Sequence, residues 1–190
     1  MKVKIHTLFQ YLLETTSAEP EAIVGFSLSK SPVLGDFLDD LDPAQSLDWN
    51  NRDFRGLPAL RDHVLAQASL ETVCGPADVL ITAGAAEANY LAIMQLLQPG
   101  DEIIVEVPGW PQAEVLARAK GAKIARIRRL EAEAWALPLD RLGAALTKNT
   151  KLIFISNPNN PTGHLLCSSE LDTLARMAGS VGAWLLVDEV

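Results

Sequence analysis

Cysteine, histidine, basic charge and long apolar runs are all scarce in this sequence, and each scarcity removes a class of explanation. Two cysteines in 190 residues, Cys74 and Cys167, cannot build a disulfide framework; they read as ordinary thiols of a reducing, cytoplasmic compartment. The three histidines, His6, His63 and His164, are scattered without ligand spacing, which argues against a metal site. No apolar run approaches the roughly 20 residues that cross a bilayer. The basic stretch Met1 to His6 is not followed by the apolar core of a secretory signal. A formal net charge of −8 argues against nonspecific binding to nucleic acid or an anionic membrane.

What is present is a chain long enough for one domain with a sizeable core, 48% hydrophobic. Residues 1–50 are the least regular part, broken by Pro20, Gly25, Pro32, Gly35 and Pro43. A short amphipathic helix over Ile5–Glu14 and a strand over Ile23–Leu28 are expected there. Gly56-Leu-Pro-Ala-Leu-Arg61 opens a helix, with Pro58 in its first turn and Leu60, Val64 and Leu65 on one face.

From Asp78 onward, strands and helices alternate. Short apolar runs at Val79–Thr82, Glu102–Glu106, Lys123–Ile127, Lys151–Ile155 and Trp184–Asp188 predict five strands. Helices are expected over Ala85–Leu97, Trp110–Lys120, Leu139–Leu146 and Ser168–Gly179. Trp184 is expected to pack in the sheet. Near-continuous apolar strands between helices predict an α/β fold with a mostly parallel sheet buried on both faces. Ligands of such sheets sit at the C-terminal ends of the strands. The sequence stops at Val190 on an apolar strand, which reads as a cut through a domain.

Four segments carry candidate chemistry. In Thr82-Ala-Gly84-Ala85-Ala86-Glu87, small residues between a strand and a helix let an anion approach the free N–H groups of a helix N-terminus; a plain strand–helix turn reads the same way. In Val107-Pro108-Gly-Trp110-Pro111, the tryptophan offers a flat face to a ligand ring, or serves as a core anchor. Ser156-Asn-Pro-Asn-Asn160-Pro-Thr-Gly163 holds more asparagine and proline than a generic turn requires. Its Asn160–Pro161 bond is expected to be cis, and Val107–Pro108 with it. Asp188, at the end of an apolar strand, is costly to bury unless a cationic partner meets it; a solvent-facing strand end is the alternative.

In this order, Gly56–Arg61, Thr82–Glu87, Pro99–Glu102, Pro108–Trp110, Asn157–Gly163 and Asp188–Val190 resemble the class I/II aminotransferases, pyridoxal 5'-phosphate (PLP) enzymes of the aspartate-aminotransferase fold. The resemblance runs from about Leu47 to the end, and its Asn-Pro-Asn-Asn-Pro-Thr-Gly string is the most specific part. It implies a partial PLP-binding large domain over 51–190, preceded by a segment of the small domain and dimer interface over 1–50. It implies backbone binding of the cofactor phosphate by Gly84, Ala85 and Ala86, stacking by Trp110, and a hydrogen bond from Asn160 to the ring's 3′ oxygen. Asp188 would pair with the pyridine nitrogen, and Val190 would touch the ring's other face.

The implied activity is transfer of an amino group between an amino acid and a 2-oxo acid, in a homodimer. Other PLP reactions of the scaffold (C–S lyase, decarboxylase, cyclase) and a non-catalytic aminotransferase-like ligand-binding domain are the alternatives. The family's Schiff-base lysine lies downstream of the Asp-Glu pair, outside this sequence, so the chain alone is expected to be inactive. Lys148 and Lys151 precede the motif and are not candidates. The family's tyrosine before the Gly-x-Pro-x-Leu-Arg helix is replaced near Asn51, within Trp49-Asn-Asn-Arg-Asp-Phe54. Alanines stand in the phosphate turn where a hydroxyl donor is common.

Overall fold

The computed structural model describes residues 10, 14, 31–44, 46 and 53–190. Gln10 and Glu14, the two described residues of the helix expected over 5–14, are helical. The rest of that helix, the strand expected over 23–28, Trp49 and Asn51 lie outside the described residues. The described residues divide into two compact units that meet in the chain at Ile81 and Thr82.

In the first unit a 3-10 helix spans Leu34–Asp40, helix α1 spans Pro58–Ala68, and a 3-10 turn spans Pro76–Asp78. Pro58 starts α1 as expected. The buried face of α1 is Arg61 and Leu65, while Leu60 and Val64 are exposed, contrary to the apolar stripe read from the sequence. Arg61 can be buried because its charge is partnered: Nη2 donates to Asp53 Oδ2 at 2.5 Å and Nη1 to the Pro76 carbonyl at 2.7 Å. The Arg55 backbone N–H, and then the Arg61 charge, hold the Asp53 carboxyl below its usual range. Val79–Thr82 is not a strand. The Ile81 N–H bonds the Arg55 carbonyl instead of a ladder partner, so four apolar-looking residues serve as a connector.

The second unit alternates helix and strand: α2 Ala85–Leu96, β1 Glu102–Val107, α3 Gln112–Lys120, β2 Lys123–Arg128, α4 Leu139–Ala145, β3 Thr150–Ser156, α5 Ser168–Val181 and β4 Trp184–Asp188. The sheet is four-stranded, in the order β2-β1-β3-β4, and every pairing is parallel. The α/β parallel architecture therefore holds, with four strands rather than five.

Alternation along the central strands creates two cores. Ile103, Val105, Leu152 and Phe154 face α2 and α3, where Ile93, Leu97, Ala113 and Leu116 meet them. Ile104, Ile153 and Ile155 face the other way, onto Leu142 of α4 and Leu174 and Ala178 of α5. Both faces being covered explains why β1 and β3 read as near-continuous apolar runs. Each Ile or Leu wholly removed from water contributes about 2 kcal/mol. The flanking strands are more polar or more open: β2 carries Lys123, Arg126 and Arg128, and β4 begins with Trp184, 63% exposed rather than packed in the sheet.

Helix ends follow local chemistry. Cys167 precedes the first turn of α5, where Glu170 accepts its N–H at 2.8 Å, a bond that draws the Glu170 carboxyl below its usual range. The helix runs past Gly179 and closes on Gly182, which takes the left-handed conformation. Among the described residues no helix is long and apolar enough to cross a membrane.

Candidate functional site

Because all strands are parallel, their C-terminal ends lie along one edge of the sheet. Val107, Ser156 and Asp188 close β1, β3 and β4, and the Asn157 N–H donates to the Asp188 carbonyl at 2.8 Å. The Pro108-Gly109-Trp110 loop leaves this edge. A Cβ at Gly109 would sit 2.5 Å from the Glu106 carbonyl oxygen, so the turn has no room for a side chain there. Val107–Pro108 and Asn160–Pro161 are both cis, as expected from the sequence, and Asn157–Pro158 is cis as well.

The turn into α2 is shaped by glycine. Gly84 has φ +82° and ψ 168°, a region that residues with a Cβ avoid, and nothing lies within 4 Å of where a Cβ would be. Glycine is therefore needed for its backbone, not for space. The Glu87 carboxylate turns back to accept the Ala83 N–H at 2.5 Å. The N–H groups of Ala85 and Ala86 open the helix and have no carbonyl of the preceding turn to bond. That is the geometry of an anion cradle.

Two amide side chains tie this turn to the strand ends. Asn89, one turn further along α2 and only 5% exposed, donates from Nδ2 to Asp188 Oδ2 at 3.0 Å. The same nitrogen is 3.5 Å from Gln112 Oε1, at the long end of the hydrogen-bond range. That carbonyl oxygen also accepts the Trp110 indole N–H at 3.3 Å, and Gln112 Nε2 donates to the Ala86 carbonyl at 2.7 Å. Ala86, Trp110 and Asp188, three of the residues singled out from the sequence, thus belong to one hydrogen-bonded cluster. The second oxygen of the carboxylate, Asp188 Oδ1, is buried with no hydrogen-bond partner among the described residues. A buried carboxylate oxygen left this way fits a cationic N–H donor.

The asparagine-rich loop divides its labour. Asn157 Oδ1 accepts the Leu166 N–H at 2.8 Å. Asn159, 2% exposed, accepts from both the Thr162 N–H and its hydroxyl, and its Nδ2 reaches the Pro108 carbonyl at 3.3 Å. Those two build the loop and lash it to the Pro108 turn. Asn160 is exposed, and its side chain makes no hydrogen bond among the described residues. Val190 is 90% exposed.

Asn89 and Gln112 were not among the residues chosen from the sequence. A signal for Asn89 exists: Asn89, Ile93 and Leu97 recur every four residues, so an amide falls on the helix's buried stripe. Gln112 carried no such signal. Beside the cluster, a cleft of about 390 Å³ opens at the ends of β1 and β2, lined in part by Pro108, Arg129 and Trp135. Arg129 belongs to a buried ion pair. Arg129 Nε donates to Glu106 Oε2 at 2.8 Å, and Glu106 Oε1 accepts the Ser156 N–H at 2.7 Å. Arg129 Nη2 also lies 2.6 Å from Oε2 but off the hydrogen-bonding angle, so Nε–H carries the bond. Among the described residues no group of His, Cys, Asp and Glu could hold a metal ion.

The family model for aminotransferase class I and II matches residues 50–190. The chain is 31% identical over 137 residues to an aspartate aminotransferase of Streptomyces avermitilis, covering 71% of this chain and 34% of that protein. It is 38% identical over 112 residues to the aspartate aminotransferase of Pyrococcus horikoshii, covering 59% of this chain and 29% of the relative. Among solved structures, a PLP-dependent aminotransferase from Streptococcus suis superposes with a TM-score of 0.71 at 32% identity, covering 82% of this chain and 40% of that one. An alanine aminotransferase from Pyrococcus furiosus gives 0.68 at 35% identity, covering 73% and 36%. The chain spans about a third of the length of the curated relatives it matches.

Proposed function

Since the chain belongs to the aminotransferase class I and II family, we propose that the whole protein moves an amino group between an amino acid and a 2-oxo acid with PLP as its cofactor. The observation that carries this reading is Asp188 at the C-terminal edge of a parallel sheet, with one oxygen held by Asn89 and the other buried without a hydrogen-bond partner among the described residues. When bound, PLP supplies a protonated pyridine ring that withdraws electrons from the substrate carbon.

This chain's residues bind and orient that ring. Ala85 and Ala86 offer backbone N–H groups to its phosphate at the start of α2, while Gly84, whose own N–H is spent on the Thr82 carbonyl at 2.8 Å, gives the turn its shape. Trp110 lies along one face. Asn160, spared from loop building, donates to the 3′ oxygen, and Val190 bounds the other face. Asp188 Oδ1 accepts the ring N–H and holds the proton there. Residues 51–190 serve as part of the PLP-binding large domain, and residues 1–50 as a segment of the small domain and dimer interface. We place the protein in the cytoplasm as a homodimer.

The test is transfer of nitrogen from an amino acid donor to a 2-oxo acid by the whole protein with PLP, followed by the appearance of the new amino acid. Release of ammonia or carbon dioxide from the donor, with no nitrogen passed to the acceptor, would replace this reading with another PLP reaction.

A further inference from the structure

We propose that Asn89 and Gln112 form a neutral amide relay that presets Asp188 and Trp110 for the cofactor; this rests on the PLP reading above. Asn89 comes from the buried face of α2, Gln112 from the first turn of α3, and Asp188 from the end of β4. One Asn89 N–H bonds Asp188 Oδ2, and the other points to Gln112 Oε1. Gln112 divides its two ends: the carbonyl accepts the Trp110 indole N–H, and the amide N–H reaches the Ala86 carbonyl in the phosphate turn. Phosphate cradle, stacking face and ring-nitrogen partner are therefore set by two side chains that touch none of the reacting atoms.

The donor directions are what give the relay its effect. A carboxylate accepts only, so Asp188 rotates until its oxygens find donors. Asn89 meets Oδ2 and thereby fixes Oδ1 as the oxygen turned to the ring nitrogen. Because Asn89 carries no charge at any pH, it steadies the carboxylate without competing for its proton, as a titrating donor would. Without the amide, Oδ2 loses its donor, and the carboxylate draws the shared proton from the ring toward itself. Asn89 and Gln112 are positioning residues in this scheme.

The holoenzyme tests it directly, with PLP labelled with 15N at the ring nitrogen. Asn89→Leu, similar in size but without donors, should move the ring-nitrogen resonance toward the unprotonated position. It should weaken pyridoxamine phosphate binding on the order of tenfold, the size of a lost hydrogen bond to a charged group. Asn89→Asp, which sets a like charge against Asp188, should move the resonance further. Gln112→Leu, at a half-buried position, reads the relay from its other end. It should shift the Trp110 indole N–H resonance and move the ring nitrogen in the same direction by less. Asp188→Ala separates the two claims. If Asp188→Ala moves the ring nitrogen while the Asn89 and Gln112 variants leave it in place, the relay is wrong and the PLP reading stands. If Asp188→Ala leaves it in place too, the reading of Asp188 fails.

Discussion

Asn89 and Asp188 are separated by 99 positions in the chain, and their side chains meet at 3.0 Å on the C-terminal edge of the sheet. The contact joins the first helix of the second unit to its last strand and leaves the carboxylate half satisfied. A half-satisfied buried carboxylate is a poor stabiliser of an empty fold and a good partner for a cation.

This asymmetry separates stability from activity at Asp188. In the cofactor-free chain, Asp188→Ala removes one hydrogen bond and also one buried, unpartnered oxygen. The unfolding free energy should change by less than about 1 kcal/mol. In the holoenzyme the same change should lower turnover by roughly a hundredfold or more, because the ring nitrogen loses the group that holds its proton. Phosphate and stacking contacts remain, so cofactor retention should fall far less than turnover. Urea unfolding of the cofactor-free chain and turnover of the holoenzyme, measured side by side, check this; a large loss of stability with near-normal turnover would contradict it.

The Glu106–Arg129 pair should behave in the opposite way. Both groups are buried, and Glu106 also holds the Ser156 N–H at the mouth of the asparagine loop. Arg129→Met leaves a buried carboxylate without its cation and should cost about 3–5 kcal/mol. Glu106→Gln keeps an acceptor for Ser156, so the double variant should regain part of that loss. A double-mutant cycle by urea unfolding measures the coupling, and simple additivity would refute it.

Surface charge contributes on a smaller scale and with a definite pH window. Glu114 lies between Arg118 and Arg126, each with Nη2 at 2.5 Å from its Oε1. The hydrogen bond from Arg126 first, and that from Arg118 after it, hold its carboxyl below the ordinary value of 4.5, against the opposing effect of burial. A carboxyl lowered by folding stabilises above its unfolded pKa, and that stability is lost as pH falls through the folded one. Glu114→Gln should therefore cost about 0.5–1 kcal/mol at neutral pH, and close to nothing once pH is well below 4.5. Molar salt should shrink the neutral-pH difference. Thermal melts across pH and salt test all three; a difference that persists in acid would point to packing instead of charge.

How much of this was legible beforehand depended on whether a residue's role was local. The strands over 102–107 and 150–156 are buried on both faces, so their apolar runs were unambiguous. Proline and asparagine in the 157–163 loop announced a special turn because their backbone preferences are intrinsic. Val79–Thr82 misled because a short apolar run does not say whether a neighbouring strand will pair with it. Trp184 misled because hydrophobicity does not say where a sheet's edge falls. Arg61, Glu106, Arg129, Asn89 and Gln112 are buried or tied by partners distant in the chain, a matter of tertiary pairing that spacing alone does not carry.

The asparagine loop gives the last prediction, because its three asparagines look equivalent in sequence and are not equivalent in the fold. Asn157 and Asn159 spend their side chains on Leu166, Thr162 and the Pro108 carbonyl, and both are buried. Asn160 is exposed, with an amide uncommitted among the described residues. Asn159→Ala strips two acceptor bonds and one donor bond from a buried site and should destabilise the second unit by about 1–3 kcal/mol. Asn160→Ala breaks nothing in the fold and should leave the urea midpoint unchanged within about 0.5 kcal/mol. Its effect should appear only with the cofactor, as weaker PLP retention and a shifted absorption band once the 3′ oxygen loses a donor. Equal destabilisation by the two substitutions would mean that Asn160 belongs to the loop's framework; an unchanged spectrum and unchanged PLP retention in Asn160→Ala would remove it from the cofactor's contacts.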